Sequence, residues 1–182
     1  MLHQFSCSPS VRNHGINAML RLALCLLMLS EIGFGQSQPP MEKVKKDVAL
    51  LQNAVNDAIN VTIPGWGVLQ GAKAAYLEGY GVVVNMEVAF DSPRSPFDGL
   101  RSPEVVRTTT SQRQKEVMDK LTSLLKQKVP ALESIGPAES VAIILNLLNT
   151  NPADLPDMPS QIILSLKKQD AASAPVTVRA YK

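Results

Sequence analysis

Every cysteine and histidine of this chain lies ahead of Gln36: His3, Cys7, His14 and Cys25. The same stretch carries an apolar run, Leu22–Leu29, with Arg12 and Arg21 upstream and Gly33-Phe34-Gly35 downstream. A basic flank, a short apolar core and small residues before a cut site are the order of a secretory signal. The run falls well short of the ~20 residues that span a bilayer. Cleavage is expected before Gln36, which makes residues 1–35 a signal peptide and 36–182 the mature chain. Translation from Met19 instead of Met1 would give a compact version of the same signal. Leu24 occupies the place before Cys25 where lipidation normally requires a small residue, so an acyl anchor is not expected.

The mature chain then has to fold without disulfides, by its core alone. It has no His or Cys for a Ser-His-Asp or Cys-His nucleophile, for a zinc site, or for a CxxCH haem attachment. Remaining options are carboxylates, Lys, Tyr and Ser, or a metal held by oxygen ligands. Composition narrows the class further. Hydrophobic residues make up 45% of the chain, too many for a disordered one. A net charge of +2 and 4% aromatics argue against a nucleic-acid binder. No stable membrane span is expected after cleavage.

Past a polar lead ending in Pro39-Pro40, Val44, Val48, Leu51, Val55 and Ile59 recur at helical spacing, predicting an amphipathic helix that ends near Asn60. The glycines of Gly65-Trp66-Gly67 and Gly71 superficially resemble a phosphate loop. The last gap is one residue too long and the strand-before, helix-after setting is missing. Ala72–Leu77 and Tyr80–Phe90 predict a β-hairpin turning at Glu78-Gly79, because Val82, Val84, Met86, Val88 and Phe90 alternate. Residues 91–110 hold Pro93, Pro96 and Pro103 without periodicity and are expected to be a mobile loop. Ser111–Lys128 predicts a second amphipathic helix. Ser140–Leu148 reads as a central strand buried on both faces, Gln161–Lys168 as another strand, and Pro175–Tyr181 as an edge strand. The expected fold is α+β: a two-layer sandwich with an antiparallel or mixed sheet of about four to five strands and two helices on one face.

Candidate sites are sparse. The carboxylate pairs Glu78/Glu87, Asp154/Asp157 and Glu133/Glu139 match no motif, and no catalytic, cofactor or metal residue is assigned. Trp66, Tyr76 and Tyr80 beside Glu78 are expected to form an aromatic cluster near the glycine turn. Arg94 and Arg101 make the proline-containing loop basic, as suits an anionic partner. The function expected is a non-catalytic binding domain of the bacterial envelope, periplasmic or secreted, whose partner is an envelope protein or an anionic envelope component. The alternative is a carboxylate- or Ser-based hydrolase or transferase, which requires Glu78, Glu87 and Lys73 to converge in a cleft. The export reading is tested by the intact mass of the protein from separated cell fractions. A species starting at Gln36, unreactive toward thiol reagents, is expected. A full-length cytosolic species would overturn it.

Overall fold

The computed structural model describes residues 40–92 and 101–182, so the expected signal, Arg94 and residues 93–100 lie outside the described residues. Helix α1 spans Met41–Asn60. It starts directly after Pro40, whose carbonyl accepts from the Lys43 and Val44 amides, and Glu42 in its first turn suits the helix dipole. Its buried stripe is Val44, Asp47, Leu51, Val55 and Ile59. A short 3₁₀ turn, Gly65–Gly67, leads into β1, Val68–Leu77, and then β2, Gly81–Val88. Helix α2 spans Pro103–Lys128. Strands β3 (Ser140–Leu147), β4 (Gln161–Lys167) and β5 (Thr177–Tyr181) complete the chain.

The five strands form one mixed sheet in sequence order, β1-β2-β3-β4-β5. β2 pairs parallel with β3; the other neighbours are antiparallel. A parallel neighbour requires a crossover, and α2 is that crossover. Register aligns the apolar positions in rows. Val84 lies opposite Ile143 and Ile143 opposite Leu164; Met86, Leu145 and Ile162 form the next row. These side chains are buried in one core cluster with Leu51, Val55 and Ile59 of α1, Val117, Leu121 and Leu125 of α2, and Phe90. Truncating one of them, such as Leu125, to Ala should cost about 2–5 kcal/mol. The fold is thus α+β, with the strands and helices that the periodicities imply.

Three local expectations are corrected. Helix α2 begins at Pro103, not Ser111, so the second half of the expected loop is helical. The Ser102 hydroxyl accepts from the Val105 amide at 3.3 Å, Pro103 sits in the first turn where its missing N–H is harmless, and Glu104 faces the positive end of the dipole. The extension buries Val106 and Thr110 as well. Strand β3 is central but not buried on both faces. Ile144 and Asn146 are half-buried on a face where Asn146 Nδ2 donates to Asn85 and Gln161 Nε2 donates to Asn146. Between β1 and β2 the closing pair is Leu77 with Gly81, so the connection holds three residues, 78–80, rather than two.

Gly81 has φ +115°, and a Cβ there would lie 2.1 Å from the Ser140 carbonyl oxygen on β3. Both the backbone conformation and the space exclude a side chain. Gly81→Ala is expected to lower stability by roughly 2–3 kcal/mol or more, since overpacking and strain add. Denaturant melts of the two proteins check this; an unchanged midpoint would mean the two strands can part there at no cost.

Candidate functional site

The chemistry-bearing side chains gather at the two opposite ends of the sheet. At one end is the β1–β2 tip. The Tyr80 amide donates to the Leu77 carbonyl, closing a turn over Glu78 and Gly79, and Gly79 takes φ +76°. Ser140 N–H donates to the Tyr80 carbonyl at 2.7 Å, tying the tip to β3. Tyr76 Oη donates to Glu139 Oε1 at 2.7 Å, and Glu139 Oε2 accepts from the Gly136 amide at 2.7 Å. Glu139 is buried, so both its oxygens are spent on holding the tip against the 136–139 turn. Leu77 is 50% exposed and Tyr80 42% exposed beside this anchor.

That hydrogen bond to Glu139, with burial and the negative charges of Glu139 and Glu78 behind it, pushes the Tyr76 hydroxyl up to about 12. Tyr76 therefore stays protonated at neutral pH and acts as a pin, not as a proton shuttle or a nucleophile.

At the other end, Trp66 rides on the 3₁₀ turn before β1. The Arg113 guanidinium lies 5.4 Å from its ring centroid and donates to the Phe90 carbonyl at 2.9 Å. Asp91, just past β2, is buried. One of its carboxylate oxygens accepts from Thr150 Oγ1 and Asn151 Nδ2, both at 2.6 Å; the other has no hydrogen-bond partner. It borders a cavity of about 30 Å³ lined also by Arg101, Thr110, Arg113 and Asn151. Ligands of open α/β sheets bind beyond the carboxyl ends of parallel strands, where this cavity lies. Its volume, however, matches a single water molecule and not a substrate.

Trp66 and Tyr76 are thus at opposite ends of β1, ten residues that extend about 30 Å. The expected aromatic cluster reduces to Tyr76 and Tyr80 with Glu78. Arg101 belongs to the Trp66 end and donates to Ser92 Oγ at 2.6 Å. Lys73 lies midway along β1 opposite Asn85, Glu87 is next to last in β2 opposite Gln70, and Glu78 is at the tip. An open groove of about 500 Å³ between α1 and α2 is lined by Asp57, Asp119, Lys120 and Lys128 over Ala54, Ala58 and Leu124, and by none of those three residues. The other acidic pairs are divided too. Asp157 is held below the ordinary carboxylate range by Lys182 at 2.8 Å, while Asp154 is buried. Glu133 is held low by Lys43 at 3.0 Å, and Glu139 holds Tyr76.

No family model matches this chain, and no curated protein or solved structure matches it. Its own geometry is therefore what bears on function. Among the described residues, no group of three His, Cys, Asp or Glu side chains is placed to hold a metal ion, and no helix is long and apolar enough to cross a membrane.

Two structural acids escaped the sequence reading, Asp91 and Asp47. Asp47 is buried in α1 and accepts from both the amide (2.8 Å) and the hydroxyl (2.7 Å) of Ser134. The signal was available: Asp47 falls at helical spacing between Val44 and Leu51, inside the apolar stripe.

A native tyrosine that ionises late links stability to alkaline pH. The folded state keeps the Tyr76 proton after the unfolded chain has lost it, so the contribution is complete below pH ~10 and fades as pH rises toward 12. Tyr76→Phe should remove that alkaline loss. In an absorbance titration the last tyrosine transition should vanish in the variant; its persistence would mean another tyrosine carries the shift.

Proposed function

We propose that this chain is an exported, non-catalytic interaction domain of the bacterial envelope, and that it engages an envelope protein through the β1–β2 tip. The observation that carries the reading is the exposure of Leu77 and Tyr80 on a tip that is rigidly held. Tyr76–Glu139, Ser140–Tyr80 and the Gly81 contact fix the backbone, so little ordering entropy opposes binding there. An exposed tyrosine on a preorganised support is a common binding hot spot, and Leu77 adds apolar area beside it. The tip carries Glu78 and no arginine, which favours a protein surface over a polyanion. The separation of Glu78, Glu87 and Lys73 gives a hydrolase or transferase no support.

The test is co-sedimentation of the purified protein with isolated cell envelopes. The double variant Leu77→Ser, Tyr80→Ser should lose roughly tenfold or more of the bound fraction while melting as the parent does, since both side chains are exposed. Equal binding by parent and variant, or none by the parent, would discard the proposal.

A further inference from the structure

The two edges of the sheet are treated differently. On β1 the outward Ala72 amide donates to Asn56 Oδ1 at 2.8 Å and the Ala74 amide to Gln52 Oε1 at 3.1 Å. Asn56 and Gln52 are one turn apart on α1, so the helix covers that edge. The β1 register is also broken twice. Bulges and covered N–H groups are two of the devices that stop an edge strand from pairing with another chain.

β5 carries neither device. Its pairing with β4 is continuous from Thr177 to Tyr181, no proline interrupts it, and every residue in it is exposed. Its backbone direction follows from β4. The Lys168 amide donates to the Glu139 carbonyl and the Leu147 amide to the Ser160 carbonyl. Even-numbered residues of β4 therefore face β3 and odd-numbered ones face β5. The β5 residues opposite Gln161, Ile163 and Ser165 are Tyr181, Arg179 and Thr177. These turn inward, and Val178 and Ala180 direct their N–H and C=O groups outward. Val178 (51% exposed) and Tyr181 (45%) flank them as uncovered apolar surface.

We infer that two copies of this chain associate through β5, antiparallel about a two-fold axis, into one continuous sheet. The side chains of β5 pair acceptably with a second copy of themselves in one register. An axis at Arg179 would set two guanidinium groups directly opposite each other, which is unfavourable. An axis at Ala180 sets each Arg179 against the Tyr181 ring of the second copy, a favourable cross-strand pair, and brings small Ala180 against itself. The closed β1 edge limits the assembly. Head-to-tail pairing of β5 on β1 would run on as a filament, whereas β5 on β5 closes at two copies. This surface lies on the edge of the sheet opposite the tip strand and is independent of the envelope reading.

Sedimentation velocity of the purified protein should show twice the chain mass. Val178→Pro removes one outward N–H and should return it to the monomer. An independent readout uses the absence of Cys after Cys25: with Cys7 and Cys25 replaced by Ser, Ala180→Cys should oxidise to a disulfide-linked pair, because directly opposed residues have Cα atoms about 5.5 Å apart. A monomer at every concentration, open-ended polymers, or a dimer that neither cross-links at position 180 nor responds to Val178→Pro would each overturn the inference.

Discussion

The parallel pairing of β2 with β3 is the constraint from which the rest of the molecule follows. Two adjacent strands can run the same way only if the chain returns along the full length of the sheet between them. The 26 residues of α2, about 39 Å of helix, make that return. In doing so α2 brings Val117, Leu121 and Leu125 into the core that α1 already enters with Leu51 and Val55. The same geometry creates two ends of different character. One holds the β1–β2 tip against the start of β3, and the other collects the connections that leave β2 and β3.

Without cysteines beyond residue 25, the connections at both ends need other fastenings, and buried acids supply them. Asp47 holds the loop before β3 through Ser134, Glu139 joins the tip to Gly136, and Asp91 holds Thr150 and Asn151. Each is a carboxylate removed from water and accepting hydrogen bonds from groups distant in sequence. A hydrogen bond to a charged group contributes about 1.5–3 kcal/mol, and losing one partner leaves a buried charge unpaired, which costs more. The unpartnered oxygen of Asp91 is the exception, in a space of single-water size.

What could be read from the sequence was what repeats at short range. Helix α1 was legible to its last residue because a clean stripe lies between Pro40 and Pro64. The alternation in β2 and the β5 edge were equally plain. The start of α2 was hidden by Pro103. Proline reads as a breaker, yet after Ser102 and before Glu104 it opens a helix. The candidate site was legible only in part. Trp66 and Tyr76 sit ten positions apart, which sequence inspection treats as near; an extended strand places them at opposite ends of a sheet. The roles of Glu139 and Tyr76 depend on a contact spanning 63 positions, and no local pattern encodes it.

The sequential strand order also divides the folding problem. β1–β2 and β3–β4–β5 are two runs of chain neighbours whose connections, the longest being residues 148–160, are far shorter than the stretch 89–139 that joins β2 to β3. Only the seam between β2 and β3 must close across the whole of α2. Loop-closure entropy makes such a seam the slow step. Substitutions along it, at Val84 or Ile143, are then expected to act chiefly on the rate of folding, and substitutions on the outer strands chiefly on the rate of unfolding. The interval before that seam closes is also the interval in which the apolar rows of both halves stand open to solvent.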